Sequence, residues 1–254
     1  MKSDFRQRLI QGDHLAGTII TLACPSIAEL LSRSGFDWLF IDGEHGPLSA
    51  GDIQLLLQAA QPHCPCVVRV ATNDEAHIKQ VLDTGADGII APMVNDADTA
   101  ARVVGRAKYP PLGKRSVGIA RAQGYGDTFA EYLGRANDRV AVIVQVEHVD
   151  AVANIDSILD VAGIDGVFIG PYDLSASMGK PGNIDDADVQ FQIETVRQAC
   201  LVRHMAMGIF GVDATAVRLF PKQGYTLVAV GMDTLLLSQS ARRELSGLKR
   251  ETPA

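Results

Sequence analysis

The chain has 254 residues, a length that suits one closed α/β barrel better than two domains. Its hydrophobic content of 47% is enough to bury a core without disulfides or structural metals, and its net charge of −7 argues against nucleic acid, whose binders carry a basic face. The cysteines Cys24, Cys64, Cys66 and Cys200 lack zinc-ligand spacing, since Cys64-Pro65-Cys66 is too tight and no second pair completes it; they read as buried or half-buried thiols of a reducing cytoplasm.

The N-terminal stretch Met1–Arg8 is charged and leads into no long apolar run, so no signal peptide and no membrane span is expected. Eight apolar runs follow in chain order: Gly17–Leu22, Trp38–Asp42, Val67–Val70, Gly88–Pro92, Ala141–Val146, Gly166–Gly170, Met205–Phe210 and Leu227–Gly231. Most are continuous rather than alternating, the pattern of parallel strands covered on both faces. Helical periodicity occupies Glu75–Thr84 and Ala97–Ala107, each after a capping residue (Asn73 or Asp74; Asn95 or Asp96), and then Phe191–Arg203 and Asp233–Leu245. Alternating strands and helices at this length predict a (β/α)8 TIM barrel forming a single domain over residues 1–254. An open doubly wound sheet is the alternative, and the first run lacks the glycine-rich dinucleotide turn that would favour it. The connection Tyr109–Asp127 is long and rich in Gly, Pro and Arg, which points to an ordered loop at a site or a subunit interface.

Barrel chemistry sits at the C-terminal ends of the strands. There the sequence places Asp42-Gly43-Glu44-His45, Arg69, Gln145 with Glu147, and Gly170-Pro171-Tyr172-Asp173. Each has a plainer reading. Arg69 could be an internal ion-pair partner, Glu147 or Asp173 a helix cap, and His45 a hydrogen-bonded loop residue. Their joint occurrence at one mouth favours a catalytic site.

Glu147 and Asp173 are hard oxygen donors that suit Mg2+ or Mn2+, with Co2+ or Zn2+ as further candidates. An α-keto acid can complete the coordination of such a metal, with Arg69 adding positive charge where an enolate oxygen develops. Imine chemistry would need a desolvated lysine inside the barrel, and none of the seven lysines falls in a strand run. His45 has the unperturbed pKa of a base working near neutrality, and Asp42 or Asp83 could orient it.

These segments resemble the HpcH/HpaI aldolases, which include 4-hydroxy-2-oxoheptanedioate aldolase and 2-dehydro-3-deoxyglucarate aldolase. The resemblance is carried by Gly35–Pro47, Val68-Arg69-Val70, Gly85–Pro92, Arg115–Gly118, Arg121-Ala122 up to Tyr125-Gly126, Gln145-Val146-Glu147, Gly170–Ser175 and Val230–Asp233. It implies that Glu147 and Asp173 hold the metal, that Arg69 binds the pyruvate oxygen, and that Gln145 contacts substrate. It further implies that His45, oriented by Asp83, acts on metal-bound water, that backbone amides near Ser175 hold the carboxylate beside Gly170 and Pro171, and that Asp42 lines the aldehyde side. A homo-oligomer, commonly a hexamer with exchanged helices, is implied as well, the Arg121–Gly126 loop then completing a neighbour's site. Two positions depart from the family pattern: Phe210 stands where a smaller aliphatic residue is expected near the aldehyde, and Met232 where a small polar one is.

The function expected from the sequence is a class II aldolase joining a pyruvate or hydroxypyruvate enolate to an aldehyde, with 4-hydroxy-2-oxo acids as the joined substrates. A CoA-thioester lyase or transferase on a related barrel and a non-catalytic metabolite-binding barrel are the rivals.

Overall fold

Residues 5–250 are described by a computed structural model, so the first half of the Met1–Arg8 stretch lies outside the described residues. The eight strands are β1 (Leu15–Ile20), β2 (Trp38–Asp42), β3 (Cys66–Arg69), β4 (Gly88–Ala91), β5 (Ala141–Val146), β6 (Gly166–Ile169), β7 (Ala206–Gly211) and β8 (Leu227–Met232). All pair in parallel with their sequence neighbours, and β8 closes on β1, which makes the expected closed barrel. Strands β2 to β6 are buried along their whole length, which is why they read as unbroken apolar runs.

The helices are α1 (Phe5–Ile10), α2 (Pro25–Ser32), α3 (Ala50–Ala60), α4 (Glu75–Asp83), α5 (Ala97–Ala107) and α6 (Phe129–Arg139), followed by α7 (Val149–Ala153), α8 (Ile155–Leu159), α9 (Pro171–Ser177), α10 (Ala187–Val202), α11 (Ala214–Val217) and α12 (Asp233–Arg250). Side-chain caps start them where the sequence offers an acceptor. Asp74 accepts from the His77 amide, Asp96 from the Thr99 amide, and Ser49 with Asp52 makes a reciprocal capping box. The 109–127 connection has no strand, and its end forms a 3-10 turn over Arg121–Gly126.

Two apolar layers result. Between barrel and helices lies the larger core, with Leu39, Ile41, Val68, Ile89, Val142 and Val167 pointing outward from the strands. Inside the barrel is an aromatic plug. The Phe40 and Phe168 rings meet edge-on at 5.4 Å, and Trp38 stacks below Phe40 at 5.9 Å. A Cβ on Gly17 would come within 2.5 Å of Trp38 Nε1, so the glycine makes room for the indole. Helix α1 closes the N-terminal end with Phe5 and Leu9. The plug leaves open only the end where the strands terminate, and this is where polar side chains collect.

Cys64, Cys66 and Cys200 are buried and Cys24 is half-buried, as expected. No helix of the described residues is long and apolar enough to cross a membrane.

Candidate active site

At the C-terminal ends of the strands a cavity of about 570 Å³ opens above Phe40 and Phe168. Asp42, His45, Arg69, Gln145 and Asp173 line one side of it. A smaller cavity of about 230 Å³ adjoins, lined by Glu44, His45, Met93, Glu147 and Asp173 among others. Six of the residues singled out from the sequence therefore meet at one mouth, because each stands at or just beyond the end of its strand.

Arg69 is the hub. Its Nε and Nη2 donate to Asp42 Oδ1 and Oδ2 at 2.9 and 2.6 Å, a bidentate pair between neighbouring strands. Its Nη1 lies 3.0 Å from Glu44 Oε2 and 3.5 Å from Gln145 Oε1, and its guanidinium sits 5.4 Å from the centre of the Phe40 ring. The ion-pair reading of Arg69 is thus also true, and it is how the side chain is aimed. Burial pushes the Asp42 carboxyl up, but the bonds and charge of Arg69, with the amides of His45 and Glu44, outweigh it and hold the group below the usual carboxylate range. Asp42 lines the cavity, yet its oxygens are committed to Arg69 and to the His45 and Glu44 amides, so it positions its neighbours rather than facing an aldehyde freely.

Glu147 is held from two sides. Oε1 accepts from the Met93 amide at 2.7 Å, and Oε2 accepts from Gln145 Nε2. Met93 reaches it with a left-handed backbone, φ 53°, which is uncommon for any residue but glycine. A Cβ on Gly170 would stand 3.1 Å from Glu147 Cβ and 3.3 Å from its Oε2, so Gly170 gives the carboxylate its space. Pro171 opens α9, which brings Asp173 to the rim, where it makes no hydrogen bond among the described residues.

The donor set fits a divalent cation. Glu147 and Asp173 line the same small cavity, and each carboxylate oxygen keeps a lone pair after its bonds are counted. Glu44 Oε2 is buried without a hydrogen bond, though its ion-pair contact with Arg69 remains. Burial pushes the Glu44 carboxyl up, Arg69 opposes this, and the nearby Glu147 charge adds to the rise. A cation beside these acids would relieve that repulsion. Among the described residues no group of three or more His, Cys, Asp or Glu side chains converges closely enough to hold a metal ion.

Two expectations meet a different geometry within one chain. Asp83 ends α4, at the N-terminal end of the barrel, where it pairs with Arg115 Nη2 at 2.7 Å; within one chain it does not reach His45. The ring of His45 makes no hydrogen bond among the described residues. The Ser175 hydroxyl is fully buried, donates to Tyr172 O and accepts from the Gly182 amide, so it braces α9 and does not line the cavity. Two participants escaped the sequence reading. Glu44 stood in plain view beside His45, and its acidic type next to a predicted carboxylate site was a usable signal. Met93 acts through its amide, which no side-chain pattern announces.

Among the described residues no lysine lines either cavity. The buried lysine of the fold is Lys108, whose pKa burial pushes down to about 8, but its Nζ donates to the carbonyls of Asn137 and Val140 at the opposite end of β5. It is a structural clamp, far from the carboxylates.

The sequence between residues 16 and 240 matches the model of the HpcH/HpaI aldolase/citrate lyase family. The chain belongs to this family. It is 42% identical over 253 residues to a hydroxypyruvate/pyruvate aldolase of Pseudomonas aeruginosa, covering 98% of this chain and 94% of that one. It is 43% identical over 244 residues to a 4-hydroxy-2-oxo-heptane-1,7-dioate aldolase of Salmonella paratyphi B, covering 95% and 92%. The fold superposes with a TM-score of 0.94 on a crystal structure of an HpcH/HpaI aldolase/citrate lyase family protein from Burkholderia cenocepacia J2315, 35% identical and covering 97% of this chain and all of that one.

Proposed function

We propose that the protein is a class II aldolase that cleaves 4-hydroxy-2-oxo acids into an aldehyde and pyruvate or hydroxypyruvate, and runs the reverse condensation. The observation that carries this is the convergence of one guanidinium, two cation-fitting carboxylates and a histidine on a cavity that no lysine of the described residues lines.

Glu147 and Asp173 would hold a divalent cation, Mg2+ or Mn2+ by their all-oxygen donors, which would supply Lewis acidity to the keto acid. Arg69, fixed by Asp42, presents Nη1 to the cavity and stabilises the oxygen on which enolate charge develops. Gln145 bridges Arg69 and Glu147 and so holds both at one spacing. His45, with a free ring at the mouth, takes the 4-hydroxyl proton in cleavage and returns it in synthesis. Incubation with a 4-hydroxy-2-oxo acid should release pyruvate, and a chelator should stop it; turnover of acyl-CoA thioesters instead would contradict the reading.

A homo-oligomer, with a hexamer as its expected size, accords with two features. Helix α12 leaves the barrel after Asp233 and contacts chiefly β8 and β1, while Leu237, Leu245 and Leu248 remain more than half exposed. Such a helix suits exchange onto a neighbour. Asp83 lies beside the 121–126 turn, since Arg121 Nη1 donates to Thr84 O, and that loop exposes Ile119 and Tyr125. Loop and Asp83 together would reach a neighbour's His45. Mixing inactive His45→Ala and Asp83→Ala proteins under exchange conditions should then restore activity to about a quarter of wild type in a dimeric pairing of random partners, since a paired site keeps both groups only when each comes from the intact copy. No recovery would place Asp83 outside the site. The buried and half-buried cysteines accord with a reducing compartment such as the cytoplasm.

A further inference from the structure

Helix α11, which follows β7, is a single turn that buries no residue, so it covers little of the strand's outer face. A second cavity of about 380 Å³ lies there, outside the barrel wall and between β7, α10 and residues 216–225. Ile193 and Ile209 give it apolar surface. The Phe220 and Tyr225 rings, with centroids 5.2 Å apart, add an aromatic one. Pro171, Tyr172 and Phe210 line this cavity and the active-site cavity alike.

Most polar groups of the second cavity are matched within the protein. Arg197 Nε and Nη2 donate to Glu194 Oε2 and Oε1 at 2.7 and 2.6 Å, and Nη1 donates to the Gln223 carbonyl at 2.8 Å. Gln190 Nε2 donates to Ile184 O. Tyr225 is the exception. It is 2% exposed and lines the cavity, yet its hydroxyl makes no hydrogen bond among the described residues. Burial pushes its pKa up to about 12, so at neutral pH it is an O–H donor. A buried hydroxyl without a partner is unfavourable, and a ligand oxygen would supply the acceptor. An anion is the wrong ligand, since Glu194 already neutralises Arg197 and Asp185 adds a negative charge at the exposed edge.

We propose that this cavity is a second ligand site, which takes a small uncharged aromatic alcohol: the ring packs against Ile193, Ile209 and Phe220, and the ligand oxygen accepts from Tyr225. The site stands independently of the aldolase reading. Its influence on the active site rests on the metal assignment made above. Pro171 and Tyr172 immediately precede Asp173 in α9, so a ligand packed against them bears on a carboxylate proposed to hold the cation. Occupancy should therefore change the affinity for Mn2+, and Mn2+ should change the affinity for the alcohol by the same factor.

The test uses the full-length protein and 3-phenylpropan-1-ol as the probe, titrated by ligand-observed NMR with Mg2+ and pyruvate present to occupy the active site. Wild type should bind it with a Kd of about 1 mM or tighter. Tyr225→Phe should weaken binding about five- to tenfold through the loss of one hydrogen bond. Ala216→Trp should abolish it by filling the cavity. Ala216 is exposed, so this variant keeps the test valid should Tyr225→Phe fail to fold. The anion 3-phenylpropanoate should bind at least about tenfold more weakly than the alcohol. In a calorimetric titration, saturation with the alcohol should change the Mn2+ affinity of wild type by about threefold or more and leave that of Ala216→Trp unchanged. No binding of the alcohol, binding that is unaltered in either variant, or a preference for the propanoate would overturn the site. Unchanged Mn2+ affinity in alcohol-saturated wild type would overturn the coupling through α9. Failure of wild type to bind Mn2+ at all would instead overturn the metal assignment, with the alcohol titration still deciding the site.

Discussion

Glu147→Gln is expected to lower pyruvate release by about 10³-fold or more, because a Lewis-acid metal supplies several kcal/mol to the barrier and each 1.36 kcal/mol is a factor of ten. The substitution keeps the side chain's size, and its amide oxygen can still accept from the Met93 amide, so the fold should survive. What is lost is the negative charge toward the cation. Calorimetric titration with Mn2+ should show the weakened affinity without substrate, which separates loss of the metal from damage to the barrel. A Glu147→Gln protein that binds Mn2+ like wild type would contradict the assignment.

Arg69→Ala should act on both rate and stability. The rate should fall about 10²- to 10³-fold, the usual effect of removing one donor to a developing oxyanion. Stability should fall by about 3–5 kcal/mol, because Asp42 and Glu44 lose their counter-charge while Asp42 stays buried. For a chain of this size that is on the order of 10 °C in Tm. The pH dependence follows from Asp42. In wild type its pKa is held below the usual range, so the pair stabilises the fold above about pH 4 and that contribution is lost as pH falls through the lower folded value. Without Arg69, burial pushes the Asp42 pKa up against only the His45 and Glu44 amides, so the folded variant holds a proton on Asp42 to higher pH than wild type does. The stability gap between wild type and variant should therefore narrow as pH falls from 7 toward 4. Adding Asp42→Asn should recover stability and leave the rate low; recovery of both would mean that Arg69 is only structural.

Much of this architecture was legible because barrel strands are buried on both faces and so appear as unbroken apolar runs. β2 and β5 fall where the sequence put them. β1 begins and ends two residues earlier than its run, since the amides of Thr21 and Leu22 leave the ladder to donate to Asp233. The start of α10 lies four residues before Phe191, where Asp186 caps it in a segment without apolar periodicity. Helix α6 was not picked out from the sequence; it buries only Ala136 fully, with Phe129, Tyr132 and Leu133 half-buried on the same face. At the site, residues that follow strands were legible as polar endings of apolar runs. Met93, which acts through its backbone, was not, because residue type carries no φ angle; Asp83 was named from the sequence, and within the chain it lies at the other end of the barrel, paired with Arg115.

Exchange of pyruvate methyl protons in D2O tests the central claim most directly, since it needs enolate formation but no aldehyde. The account predicts exchange by wild type with Mg2+ or Mn2+, its loss on chelation, and its near absence in Glu147→Gln. Exchange that is indifferent to chelator, or none with pyruvate or hydroxypyruvate under either metal, would contradict a metal-dependent enolate mechanism at this site.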